Sequence, residues 1–214
     1  SLQRLTAWFA DAVVAPFAEF FVRNGKLGIW ILALIALYKM SDITMGVMAN
    51  PFYLDLGFSK KEIAEVSKVF GFFMTIFGAS LGGVLVIRYG IMRPLLLGAV
   101  LVATTNLLFV LLAVSEPSLK LLAVVISADN LSGGIATSVF IAYLSSLTST
   151  AYTATQYALF SSLMTLPAKL LGGMSGIIVD SYGYDIFFFY ASFVGLPAIV
   201  LVVMLTRLQN DQAS

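Results

Sequence analysis

Met74-Thr75-Ile76-Phe77-Gly78-Ala79-Ser80-Leu81-Gly82-Gly83 returns ninety residues later as Met164-Thr165-Leu166-Pro167-Ala168-Lys169-Leu170-Leu171-Gly172-Gly173, with the Met-Thr and Leu-Gly-Gly ends at identical spacing. Both copies lie in strongly apolar sequence, and they lead into opposite charges, Arg88 after the first and Asp180 after the second. A duplicated apolar unit of this size with reversed flanking charge points to inverted membrane repeats, an architecture of secondary transporters. The same glycines also serve plain helix packing, since small residues let membrane helices approach whatever the protein does.

Working outward, 60% of the 214 residues are hydrophobic and 11% charged, and the mean hydropathy is +0.98. A soluble domain averages about half apolar and a quarter charged, so lipid is the expected solvent and partner. The net charge of +1 gives no electrostatic footprint for nucleic acid. Cysteine and histidine are absent, which removes disulfides, thiol nucleophiles and imidazole bases and leaves no expected metal or cofactor. The chain starts at Ser1 without a signal-like run, which reads as sequence missing upstream.

An apolar core about 30 Å thick needs roughly 20 helical residues. Six stretches fit, near 28–50, 62–87, 92–115, 119–147, 154–180 and 184–206, separated by turn-forming groups such as Asn50-Pro51, Tyr89-Gly90 and Ser181-Tyr182-Gly183. Together they form an all-α bundle over 27–207, with a cytoplasmic tail at 208–214. Arg23, Lys26, Arg88, Arg93 and Arg207 fall on one side and Lys60, Lys61 and Lys120 on the other, so the positive-inside rule places both ends in the cytoplasm. Residues 1–26 mix Trp8, Phe9, Val13, Phe17, Phe20 and Phe21 with Arg4, Asp11, Glu19 and Arg23 at helical spacing. This reads as a cytoplasmic amphipathic connector lying in the interface.

Divided three plus three, the spans place each Met-Thr run in the second helix of a triplet. Asp42 with Gly46 and Asp129 with Gly133 then correspond in the first helices. Ionisable residues within spans cost at least ~2.5 kcal/mol each at the helix centre and are functional suspects. Lys39, Asp42, Asp129 and Lys169 meet that description, and Lys39 and Asp42, three residues apart, share a helix face. Lys169 aligns with Ala79, so the repeat is broken at a charge. One reading is mutual neutralisation that pins helices together. The other makes Asp42 and Asp129 proton-linked groups and Lys39 and Lys169 docking cations for an anionic small molecule, with Asn130, Thr137 and Gln156 hydrogen-bonding its polar groups.

Gly83-x-Leu85-x-x-Arg88-x-Gly90-x-x-Arg93 resembles the loop signature of the major facilitator superfamily. That resemblance implies a gating role for Gly83, Arg88, Gly90 and Arg93, although Ile87 stands where an acid is usual. Longer segments are similar to the C-terminal half of AmpG-type muropeptide permeases: Pro16-Phe17-x-Glu19-Phe20-Phe21-x-Arg23, Leu37-Tyr38-Lys39-x-x-Asp42, Pro51-Phe52-x-Leu54-Asp55-Leu56-Gly57-Phe58, Asn130-x-x-Gly133-Gly134-x-x-Thr137 and Gly176-x-x-Val179-Asp180-x-x-Gly183. Asp129 and Lys169 depart from the Glu and Arg expected there. The resemblance implies one half of a twelve-helix facilitator of the bacterial inner membrane. It would import anhydromuropeptides for cell-wall recycling by proton symport, with an N-terminal six-helix half as partner. Acetyl-coenzyme A facilitators are the competing assignment. A membrane enzyme, using an Asp pair or a Ser-Lys pair, has no recognisable motif, and a non-transporting scaffold is the third alternative.

Overall fold

Gly183 decides how often the chain crosses a membrane. A continuous apolar helical stretch runs from Thr153 to Asp211, 59 residues, which as one rod would be about 90 Å long, far beyond the apolar thickness of a bilayer. It is not one rod. Gly183 adopts φ 85° and ψ 170°, a conformation strained for any residue with a Cβ, and the helix axis turns there. In the computed structural model, which describes residues 14–213, five stretches are long and apolar enough to cross. The turn divides the last of them, giving five to six crossings.

The helices are α1 (Ala15–Asn24), α2 (Leu27–Tyr38), α3 (Met40–Asp55), α4 (Lys60–Val66), α5 (Phe72–Tyr89), α6 (Met92–Val114), α7 (Leu119–Ser146), α8 (Thr153–Val194, bent at Gly183) and α9 (Leu196–Ala213). The first crossing is two helices, α2 and α3, interrupted at Lys39 (φ −95°, ψ 1°). Helix was expected to end near Asn50-Pro51, but α3 continues through Pro51 to Asp55. The second crossing starts with a capping box in which the Glu62 N–H donates to Ser59 Oγ and the Ser59 N–H to Glu62 Oε2. It passes through a π-helical segment, Ser67–Gly71, before α5. Helical structure also continues through residues 208–213, where a tail was expected.

Glycine sets how the helices meet. On α5, a Cβ at Gly78 would lie 2.3 Å from the Leu131 carbonyl oxygen, and one at Gly82 would lie 2.1 Å from Ser138 Oγ; on α7, one at Gly134 would lie 2.5 Å from the Thr75 carbonyl oxygen. Helices α5 and α7 are therefore in backbone contact. The equivalent glycine of the second run is less constrained, since a Cβ at Gly172 would approach only the Val47 side chain of α3, at 3.1 Å.

Two apolar clusters fill the bundle. One contains Tyr38, Val102, Ile135, Phe140 and Ala198, the other Met45, Phe109, Ile126, Phe188 and Ala191. Between Tyr38 and Met45, between Val102 and Phe109, between Ile126 and Ile135, and between Ala191 and Ala198 each crossing passes from one cluster to the other. In those intervals lie Ser41, Asp42, Thr105, Asn106, Asp129, Ser132 and Ser192. The result is a polar belt at the middle of the helices. In the aromatic run Phe187–Tyr190, Phe187 and Phe188 are buried and Phe189 is exposed.

Helix α1 is fastened to the start of α8. Phe20 is fully buried against Phe160, ring centroids 5.3 Å apart, and Arg23 pairs with Glu19 at 3.2 Å while donating to the Leu147 carbonyl. Arg4, Trp8, Phe9, Asp11 and Val13 of the expected connector lie outside the described residues.

Candidate functional site

The belt opens to one side as a cavity of about 300 Å³ lined by Asp42, Thr75, Asp129, Asn130, Thr137 and Ser138 among others. Each side chain is there for a local reason. The interruption at Lys39 starts α3 with Asp42 in its first turn, and the three-residue spacing lets Lys39 Nζ form an ion pair with Asp42. Lys39 Nζ also donates to Thr137 Oγ1 of α7 at 3.0 Å. Asp129 and Asn130 precede Gly133, where a Cβ would meet only Asp42 Oδ1, at 4.0 Å, and α7 leaves room, whereas the next residue, Gly134, packs directly on α5.

Charge in this cavity is unbalanced. Two carboxylates line it, and the nearby ammonium, Lys39, stands behind Asp42 and pairs with it. Among the described residues the Asp129 carboxylate has neither an ion-pair nor a hydrogen-bond partner. A second, closed cavity of about 10 Å³, room for about one water, lies behind Asp42 between Tyr38, Ser41, Gly98 and Gly195. Asp42 thus borders both spaces. Beside it, Asn106 donates to Ser41 Oγ at 2.8 Å and Ser41 Oγ to the Ala191 carbonyl at 2.7 Å. Thr44 Oγ1 and Asn106 Oδ1 are buried without hydrogen-bond partners among the described residues.

Lys39, Asp42, Asp129, Asn130 and Thr137, scattered over a hundred residues, therefore come together. Two other expected members do not. Gln156 is buried at the end of the bundle, where its amide donates to the Pro16 carbonyl (2.9 Å) and Glu19 (2.6 Å) and accepts from the Ser149 N–H (2.8 Å). Its hydrogen-bonding capacity is occupied in anchoring α1. Lys169 is exposed on α8, between exposed Leu166 and Leu170, with no ion-pair partner among the described residues. Arg88 lies over the Tyr89 ring, 5.5 Å from its centroid, and Gly90 ends α5 with φ 74°; Gly83 and Arg93 are exposed. Arg88, Gly90 and Arg93 occupy the α5–α6 end, Gly83 lies one turn beyond Ala79 within α5, and none of the four lines the cavity. Sequence reasoning left Thr75 and Ser138 out of the candidate site. A hydroxyl in an otherwise apolar helix face was the available signal.

No family model matches the chain. It is 33% identical over 196 residues to the anhydromuropeptide permease of Escherichia coli strain K12, covering 91% of this chain and 39% of that protein. It is 31% identical over 206 residues to a Rickettsia conorii protein provisionally named transporter AmpG 4, covering 96% and 49%. A Rickettsia bellii protein of the same provisional type, AmpG 1, is 34% identical over 183 residues, covering 85% and 45%. The chain spans about half the length of these curated relatives, or less.

Proposed function

Because the chain is a homologue of AmpG-type permeases, and so of multi-pass bacterial membrane transporters rather than enzymes, we propose that it is the C-terminal half of a proton-coupled importer of anhydromuropeptides. The observation that carries this reading is the open cavity lined by two carboxylates at mid-helix, one of them paired with the Lys39 ammonium behind it. Lipid cannot solvate such a surface, so polypeptide and water must cover it, as a second six-helix half would. A 3+3 inverted repeat fits the reciprocal packing, the second crossing on the fourth and the fifth on the first. A place in the bacterial inner membrane goes with the permease reading, and the charge bias supports both ends and the Gly83, Arg88, Gly90, Arg93 loop lying in the cytoplasm.

In this mechanism protonation of Asp42 removes the charge that holds Lys39, freeing the ammonium for a substrate carboxylate, while Asp129 is the second proton-linked group. Thr137 and Asn130 bind polar groups of the solute. Lys169 supplies a second docking cation on the covered face, and Gln156 anchors α1. The deciding experiment is uptake into vesicles carrying the full-length gene product, with labelled anhydromuropeptide and acetyl-coenzyme A as rival solutes under an imposed proton gradient. Gradient-dependent uptake of the muropeptide alone is expected; preference for acetyl-coenzyme A would reassign the substrate, and uptake of neither would favour a scaffold. Lys169→Ala is expected to raise the half-saturation concentration for the anionic solute about tenfold, matching one charged hydrogen bond. Equal changes for a neutralised analogue would remove Lys169 from docking.

A further inference from the structure

Thr75 belongs to the repeated run that the sequence marks as scaffold, yet its hydroxyl reaches the cavity. Thr75 Oγ1 lies 2.9 Å from the Gly71 carbonyl oxygen and 3.0 Å from Asn130 Oδ1. Both are acceptors, and the hydroxyl has a single proton to share between them. On its other side Asn130 Nδ2 donates to the Ile126 carbonyl at 2.8 Å. The Ile126 carbonyl sets which way the amide faces, because a reversed Asn130 would set its oxygen against the Ile126 oxygen, and the Thr75 hydroxyl at Oδ1 holds the amide in that position. The amide also packs on bare backbone. Gly71 closes the π-helical segment, and a Cβ there would stand 3.4 Å from Asn130 Nδ2. The frame is rigid, since Gly134 of α7 abuts the Thr75 carbonyl.

We propose that Thr75 is a positioning residue that orients the Asn130 amide so that its second N–H is offered as a donor to an acceptor oxygen of the transported solute, a carboxylate or an amide carbonyl. The chemistry is selective because the cavity is already rich in acceptors. With Asp42 and Asp129 beside it, a turned amide would present a further oxygen and repel an anionic solute. Held by Thr75, it adds attraction beside Lys39 instead. This role rests on the transporter reading for its solute and on the hydrogen-bond network for its geometry, and the two are tested separately.

In vesicles carrying the full-length protein, Thr75→Val, nearly isosteric, is expected to raise the half-saturation concentration for labelled anhydromuropeptide about fivefold with little change in maximal rate, matching one neutral hydrogen bond. Thr75→Ser should restore wild-type behaviour. On an Asn130→Ala background the valine substitution should add less than twofold, because it acts through Asn130. An undiminished effect on that background, or none in wild type, overturns the proposal. If the valine variant does not accumulate, Thr75→Ala enters the same cycle. Should wild type transport neither solute, the positioning role is read from side-chain amide hydrogen exchange of Asn130 in the asparagine-labelled, detergent-solubilised protein. Thr75→Val is expected to speed exchange about tenfold, and unchanged exchange would overturn the role even if transport is real.

Discussion

Asp42→Asn is expected to reduce gradient-driven uptake at least tenfold and to flatten its dependence on pH, because the amide can neither release nor take up a proton. The same change strips Lys39 of its ion pair inside the bundle, and breaking a buried pair by removing one partner is strongly destabilising, by about 3–5 kcal/mol. Loss of activity alone would therefore be ambiguous. The double variant Lys39→Gln, Asp42→Asn removes both charges and should recover accumulation in the membrane while uptake stays low and insensitive to pH. Wild-type pH dependence in Asp42→Asn would take Asp42 out of coupling and leave Asp129 as the candidate.

Gly78→Ala is expected to have the largest effect on stability, although it adds one methyl group. That methyl would sit 2.3 Å from the Leu131 carbonyl oxygen and 3.2 Å from the Ile135 nitrogen. Backbone cannot swing aside as a flexible side chain can, so α5 and α7 must separate, at a cost of about 2 kcal/mol or more. Gly83→Ala is the matched control. A Cβ at Gly83 meets nothing within 4 Å, and alanine is the better helix former by about 1 kcal/mol. Thermal unfolding of the detergent-solubilised protein should show Gly78→Ala well below wild type and Gly83→Ala level with or above it. The reverse order would mean that α5 and α7 do not meet through these glycines.

An all-helical chain with five to six helices apolar enough to cross a membrane was legible because membrane solvent writes its demands into composition. Pro51 misled as a stop signal: the backbone remains helical to Asp55, where Tyr184 donates to the Asp55 carboxylate at 2.6 Å and joins the far end of α3 to the bend in α8. The charges Lys39, Asp42 and Asp129 were legible as unusual in a span, and three-residue spacing sufficed to pair the first two. Which residues face the same cavity was not, because that depends on helix rotation and on how closely glycines let backbones approach. Gln156 illustrates the limit. A polar residue near an apolar run has the same sequence signature whether it binds a solute or holds α1, and only its three partners distinguish these roles.

The polar belt bears on how the chain is made as well as on what it does. A ribosome delivers helices to the membrane one after another, and the fourth crossing brings Asp129, Asn130 and Ser132 to mid-depth together, while the third, Met92–Val114, carries no charge beyond its first turn. Entry of the third can be driven by its own partitioning; the fourth is poorly suited to lipid alone. It is expected to leave the insertion machinery directly onto α5, whose glycines it contacts in the folded bundle. Nascent chains that extend through α7, with α5 either intact or replaced by a plain leucine span, would therefore differ in whether the Asp129 helix is retained, making biogenesis a record of the α5–α7 contact.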